Sequence, residues 1–329
     1  MSRPDGLRTD AARAAAGQCK VCGAAAEKYH TLYDDRYGYP GAFRLVRCSG
    51  CGHTELPAHF GPDEIRRLYT DFYPRSSLKV EHFAPAGDGK GFSAWLNGEK
   101  RAPYLWVPPN VRVLDIGCGF GESLAYHKAR GCDVYGVEAD ENIRRVAEKY
   151  GFNVHIGLFD PGLYERGFFD YVTMDQVIEH MADPRETLQG AARILKKGGV
   201  AVISTPNSQG WGARVFGRYW INWHAPYHRQ FFSPKSMETA AEQAGLAVDS
   251  VRTIASSEWL FYQWIHLLTC PPAGTPSPFW SPRGARSLRV KLLFAVLLAV
   301  HYTKINHVIT RLFDAFGVGD NYLFILRKP

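Results

Sequence analysis

Val111-Arg112-Val113-Leu114-Asp115-Ile116-Gly117-Cys118-Gly119-Phe120-Gly121 is the run whose reading decides the fold. Apolar residues of buried-strand character lead into an acid, and three glycines follow at alternate positions. Glycine lets the backbone turn sharply and come close to a ligand where a Cβ would clash. Glu122 to Arg130 then reads as a helix, so the unit is a strand, a tight loop and a helix start facing a small molecule. No Lys-Ser/Thr follows the glycines, which argues against a triphosphate cradle. A second strand, Asp133 to Glu138, ends in a carboxylate suited to accept both hydroxyls of a ribose.

Further landmarks follow in order. Asn153 to Gly157 reads as a third strand, Phe169 to Met174 as a fourth and Val200 to Thr205 as a fifth, preceded by the turn Lys197-Gly198-Gly199. The segment Asp175-Gln176-Val177-Ile178-Glu179-His180-Met181-Ala182-Asp183-Pro184 leaves the fourth strand. Over roughly residues 105 to 255 this series resembles the class I S-adenosylmethionine-dependent methyltransferases, and its core is loosely similar to ubiquinone-biosynthesis O-methyltransferases. The resemblance implies an α/β fold with a seven-stranded, mostly parallel, Rossmann-like sheet. It implies that Asp115, Gly117, Cys118, Gly119 and Gly121 hold the methionine end of S-adenosylmethionine, and that Glu138 and Ala139 meet the ribose. Leu158 and Phe159 then fall at the adenine, and Met174, Asp175 and Gln176 at the end of the fourth strand. An NAD-dependent dehydrogenase is the rival reading, but its loop usually runs G-x-G-x-x-G and must seat a pyrophosphate.

Length and composition allow one large core with attachments: 46% hydrophobic residues fill an interior, and 22% charged residues argue against wholesale disorder. The expected division is a flexible tail over 1–17, a small module over 18–60, a helical connector or lid over 61–104 and the catalytic domain over 105–329. The first residues carry no apolar core of a signal peptide, and seven cysteines without export signals suggest a reducing, cytoplasmic compartment.

Four of those cysteines form two pairs, Cys19-x-x-Cys22 and Cys48-x-x-Cys51, followed by Gly23 and Gly52. Two such knuckles supply the tetrahedral sulfur set preferred by zinc, and a full sulfur shell makes the metal structural. In a module this small the metal would contribute much of the folding energy. Four-cysteine modules also occur in some methyltransferases acting on ribosomal RNA or nucleotide-linked sugars, a looser resemblance than that of the core. Cys118 reads as a small residue tolerated in the loop and Cys132 as packing.

The acceptor side is expected in two places. Tyr69 and Tyr73 lie in the connector, as a lid or as packing against the sheet. After the fifth strand come Trp223, His224, Tyr227 and His228, ahead of a helix capped by Ser233-Pro234. Resembling enzymes often carry a His just before this helix, and His228 matches that position. His228, His224 and Asp175 are the candidates for proton removal, with Glu179 and His180 beside them; the competing reading makes the histidines structural.

Residues 259–313 contain no Asp or Glu but carry Arg283, Arg286, Arg289, Lys291, Lys304 and Arg311 around two apolar segments. This stretch reads as a hydrophobic, basic helical insertion over 255–318, between two terminal strands, Leu246 to Thr253 and Asn321 to Leu326. Its continuous apolar run, Leu292 to Val300, falls far short of the roughly 20 residues of a spanning helix. Three roles compete: paired amphipathic helices on the cytoplasmic face of an anionic membrane, a homodimer surface, or a cap over a greasy pocket. Nucleic acid is disfavoured despite the net charge of +7, because no dense basic-aromatic stripe exists. The expected activity is O-methylation of a hydrophobic or lipid-linked small molecule or glycan. N- or C-methylation of a secondary metabolite or nucleotide sugar, and RNA methylation, are the alternatives.

Overall fold

The computed structural model describes residues 17–74, 80–282 and 287–329. The tail expected over 1–17, save its last residue, and the basic residues Arg283 and Arg286 lie outside the described residues.

Among the described residues eleven strands are defined: β1 Ala26–Leu32, β2 Phe43–Cys48, β3 Thr54–Glu55, β4 Arg112–Ile116, β5 Asp133–Glu138, β6 Asn153–Ile156, β7 Phe169–Asp175, β8 Leu195–Pro206, β9 Gln230–Phe231, β10 Ala247–Thr253 and β11 Asn321–Arg327. Seven of them form one sheet in the order β10-β11-β8-β7-β4-β5-β6. β4 pairs in parallel with both β5 and β7, while β11 runs antiparallel between β8 and β10. Val113, Leu114 and Ile116 are almost wholly buried, as expected for a central parallel strand covered on both faces. The chain runs outward from β4 through β5 and β6, then returns to β7 on the other side. That reversal opens a crevice beyond the carboxyl ends of β4, β5 and β7, where open α/β sheets take their ligands.

The other four strands make an antiparallel sheet in the order β1-β2-β3-β9. Its last strand comes from the acceptor-side loop: Thr54 pairs with Phe231 and Glu55 with Gln230. The four-cysteine module expected over 18–60 therefore has no core separate from that of the catalytic domain. Cys19, Val21, Cys48 and Cys51 share one buried cluster with Phe232, Met237 and Ala240. The Ser233 hydroxyl donates to the Cys51 carbonyl, Lys235 Nζ to that of Gly50 at 2.9 Å and Gln243 Nε2 to that of Val21 at 2.9 Å. A module too small for a sufficient core is stabilised by burying one face on helix Pro234–Gln243.

Between β10 and β11 lie helices Ser257–Thr269, Leu288–Tyr302 and Ile305–Ala315. The expectation of paired amphipathic helices needs correction. Helix Leu288–Tyr302 is apolar around most of its circumference and has no buried residue. Helix Ile305–Ala315 is amphipathic in the inverted sense. It buries Asn306, His307 and Thr310 while Ile305, Val308 and Leu312 are each more than half exposed. Among the described residues no single helix is long and apolar enough to cross a membrane. These two together meet that test of length and composition, but they join at a 60° bend.

Candidate active site

The glycine loop is built for a ligand lying over it. Gly117, Gly119 and Gly121 all have positive φ, at 74°, 56° and 89°. A Cβ on Gly117 would meet Val177 at 2.4 Å, whereas a Cβ on Gly119 would meet nothing within 4 Å and would project into open space. Cys118 is buried beneath the loop against Gly136, so its side chain is spent on packing. The loop is fastened to β5: Gly117 N and Cys118 N both donate to the Val137 carbonyl, at 2.8 and 3.1 Å. Glu138, half-buried at the end of β5, accepts from Gly119 N and Asp140 N, each at 2.9 Å. Its carboxylate is thus oriented before a ligand arrives.

Asp115 accepts from the Ser123 hydroxyl and, at 2.7 Å, from that of Thr173. Burial pushes its carboxyl up to about 6, the two hydroxyls oppose that shift, and Asp175 and Glu138 add to it. Three acids at the ends of β4, β5 and β7 therefore face one crevice. Such a site suits a nucleoside bearing a positive charge and disfavours a pyrophosphate. Asp175 lies 3.7 Å from the Arg101 guanidinium, and Gln176, at φ 56°, donates from Nε2 to Ser204 Oγ at 2.9 Å. Leu158 is largely exposed and Phe159 half-buried beyond β6, at the rim where an adenine would rest. Met174, by contrast, is fully buried in the sheet core, leaving only its backbone near the crevice.

The acceptor-side groups gather where β7 and β8 end. Glu179, His180 and His228 each bring one donor atom within 4.8 Å of the others. Glu179 is fully buried; Oε2 accepts from Thr205 Oγ1 at 3.0 Å and Oε1 has no partner among the described residues. Burial pushes its carboxyl up to about 8, so the acid is largely protonated at neutral pH. His228 Nδ1 lies 2.7 Å from the Asn222 carbonyl oxygen. Only a donor approaches a carbonyl that closely, so the proton resides on Nδ1 and Nε2 is left as the acceptor. Burial, and then neighbouring His180, hold the His228 ring well below the usual imidazole range, and burial brings His180 down to about 4. Both rings are neutral near pH 7.

His224 stands edge-on to His228 with ring centroids 4.9 Å apart, in left-handed backbone conformation at φ 37°. Tyr69, Tyr73 and Tyr227 form an aromatic wall beside these rings, with Tyr69 Oη 3.5 Å from His180 Nδ1. Trp223 stands apart: it is 2% exposed, packs on Phe231 and donates its indole N–H to the Gly217 carbonyl. Two contributors carried no sequence signal. Tyr37 packs edge-on against His224, Tyr73 and Tyr227, and Arg101 faces Asp175. Neither sits in a motif; the second sheet and the connector bring them in by tertiary packing.

The four cysteines converge at the end of β2, against helix Pro234–Gln243. Cys19 and Cys51 sulfurs are 3.7 Å apart and those of Cys22 and Cys48 3.4 Å. With Zn–S near 2.3 Å, the edge of a tetrahedron of thiolates is about 3.8 Å, so the set fits a four-coordinate ion. Gly50 N and Cys51 N donate to Cys48 Sγ, and Gly23 and Gly52 take φ of 75° and 74° as each knuckle requires.

Parallel sheet, glycine loop and acid-lined crevice define a nucleoside-binding α/β enzyme. The chain belongs to the methyltransferase domain family, which it matches over residues 62–251, and is an S-adenosylmethionine-dependent methyltransferase. Ubiquinone biosynthesis O-methyltransferase of Xanthomonas axonopodis pv. citri (strain 306) is 27% identical over 166 residues, 46% of this chain and 69% of that protein. The enzyme of the same name from Aromatoleum aromaticum is 30% identical over 162 residues, covering 43% and 68%. A solved phosphoethanolamine N-methyltransferase 2 of Haemonchus contortus, in complex with S-adenosyl-L-methionine, aligns with a TM-score of 0.48 at 19% identity, over 80% of this chain and 59% of that one.

Removing the oriented carboxylate in Glu138→Ala is expected to weaken S-adenosylmethionine binding by about 1 to 3 kcal/mol, since charged acceptors make the stronger hydrogen bonds. Calorimetry on the variant reads this directly; unchanged affinity would take Glu138 out of the ribose site.

Proposed function

We propose that this enzyme transfers a methyl group to a hydroxyl of a hydrophobic or lipid-linked acceptor while docked on an anionic membrane surface. The observation that carries the reading is the exposed insertion beside the acceptor wall. Leu288, Leu292, Val296, Ile305, Val308, Leu312 and Phe316 are each more than half exposed, and Asn306, His307 and Thr310 are turned inward. Apolar side chains outside and polar ones inside are the arrangement expected when the surrounding medium is hydrocarbon. Arg289, Lys291 and Lys304 are exposed on the same element, and no acid lies between residues 259 and 313 to oppose anionic headgroups. A seam between two copies gains nothing from excluding every acid.

The insertion reaches the acceptor side through two contacts. Gln263 of helix Ser257–Thr269 accepts from Ile221 N at 2.8 Å and donates to the Tyr219 carbonyl at 2.9 Å, tying that helix to the loop that carries Asn222 and His224. On the same helix Phe261 meets Phe294 and His301 of the exposed helix, at ring distances of 5.6 and 5.1 Å. An acceptor leaving the bilayer along this helix would arrive among Tyr69, Tyr73 and Tyr227.

In this reading the glycine loop, Asp115 and Glu138 hold the cofactor, which supplies an activated methyl on a sulfonium. The tyrosine wall would orient the acceptor, and His228 Nε2 would receive the hydroxyl proton as the oxygen–carbon bond forms and the carbon–sulfur bond breaks, its electron pair staying on sulfur. Neutral Glu179 sits beside the two rings without adding a competing charge. Alignment supplies much of the barrier reduction. The four-cysteine set holds structural zinc, and that ion fixes the sheet to which β9, just after His228, belongs.

Flotation with vesicles tests the docking. Binding is expected to rise with the fraction of anionic lipid and to fall with salt. Arg289→Glu combined with Lys291→Glu should abolish that dependence with cofactor affinity unchanged. No flotation, together with a scattering mass of twice the monomer, would identify the apolar helices as a dimer seam instead.

A further inference from the structure

A second cluster of metal-ligating side chains lies away from the four-cysteine set and outside the cofactor crevice. Asp35, His266 and Cys270 each place one donor atom within 4.8 Å of the others. His266 Nε2 is 3.2 Å from Asp35 Oδ2, close to the edge of about 3.3 Å expected between nitrogen and oxygen ligands of tetrahedral zinc. His266 is 1% exposed; Nδ1 has no hydrogen-bond partner among the described residues, and Nε2 faces Asp35 Oδ2 outside hydrogen-bond geometry. Buried imidazoles are rarely left so, because losing water without a replacement partner is costly.

The ligands are presented by an ordered frame. Asp34 accepts from the backbone N–H groups of Arg36, Tyr37 and Tyr39, each at 2.9 Å, which holds the turn that displays Asp35. His266 lies in the last turn of helix Ser257–Thr269 and Cys270 follows its end, four residues on, so both face the same side. Tyr33 Oη lies 3.5 Å from Cys270 Sγ and donates to the Pro271 carbonyl at 2.7 Å. A narrow cleft lined by Tyr33, Asp35, Arg218 and Tyr219 opens beside the cluster.

We infer that Asp35, His266 and Cys270 bind a divalent transition-metal ion, zinc by ligand chemistry, that staples the first sheet-turn to the insertion. One carboxylate, one imidazole and one thiolate are donors that zinc accepts together, and three protein ligands leave a fourth position for water. On binding, the Cys270 thiol gives up its proton and sulfur becomes the ligand. The staple fastens the turn carrying Tyr37, which packs on His224, to the helix that holds Ile221 and Tyr219. The inference is independent of the acceptor's identity and of membrane docking.

Metal analysis of the full chain tests it. Two zinc ions per chain are expected, falling to one in Cys270→Ser and in His266→Ala while the four-cysteine site keeps its own. Cobalt titration of the unaltered protein gives a reading that does not depend on variants folding. Two equivalents should bind, and the second should show weaker thiolate-to-metal absorption than the first. Saturation at one equivalent with a four-thiolate spectrum, or zinc content unchanged in both variants, would overturn the site. S-adenosylmethionine affinity measured alongside separates its failure from failure of the methyltransferase reading.

Discussion

His228→Ala is expected to lower the single-turnover rate of methyl transfer by on the order of 100-fold, the lower end of what a positioned general base contributes. Cofactor affinity should change little, because the ring lies on the acceptor side and Asp115 and Glu138 remain. The hydrogen bond from Nδ1 to the Asn222 carbonyl leaves Nε2 unprotonated, and burial holds the ring's pKa well below 6.5. A base acts in its deprotonated form, so a depressed pKa extends the active form toward acid. The rate should hold from pH 7.5 down through 6.5 and decline only at lower pH, where an ordinary imidazole would already have lost half its activity. Glu179→Gln should be tolerated far better than Glu179→Ala, since the amide mimics a neutral acid held protonated by a pKa of about 8. A near-normal single-turnover rate for His228→Ala would leave His228 a structural residue.

The second large effect is expected at a residue far from the cofactor. Cys48→Ser should abolish methyl transfer while leaving much of the S-adenosylmethionine affinity intact. In the proposed reading, loss of one thiolate removes the zinc ion that would stabilise the knuckles. The consequence travels because β2 carries Cys48, β3 pairs with β2, and β9 pairs with β3 two residues after His228. The contacts from Ser233, Lys235 and Gln243 to the knuckles fail with it. The cofactor loop between β4 and the following helix is fastened by its backbone to β5 rather than to the knuckles. Zinc content, cofactor calorimetry and turnover on one preparation decide the matter. Full turnover in a zinc-free variant would show that the module is dispensable for the acceptor side.

How much of this was legible in the sequence follows from the range of the interactions. The strand–loop–helix unit at 111–130 and the acid at Glu138 are local, and each side chain stands where the spacing puts it. The terminal pair was legible too: β10 and β11 lie within a residue of the stretches 246–253 and 321–326. The knuckles declared themselves by spacing, but their attachment did not. β9 is two residues long and its partner residues lie 175 and 177 positions away, Glu55 from Gln230 and Thr54 from Phe231, so no periodicity marks it. The aromatic cluster in its loop points to Trp223 as an acceptor contact, whereas packing against the second sheet takes that side chain into the core. The insertion's charge was legible, but its inside-out burial was not, because a helix with apolar residues on one face reads alike whichever way that face turns.

One measurement bears most directly on the central claim that the acceptor is a membrane-borne hydroxyl compound. The enzyme is incubated with methyl-labelled S-adenosylmethionine and a total lipid extract, the phases are separated, and the labelled product is examined by NMR. The label is expected in the organic phase, as a methyl on oxygen, at a rate that increases with anionic vesicles present. Label confined to the aqueous phase, or a methyl on nitrogen or carbon, would contradict the account.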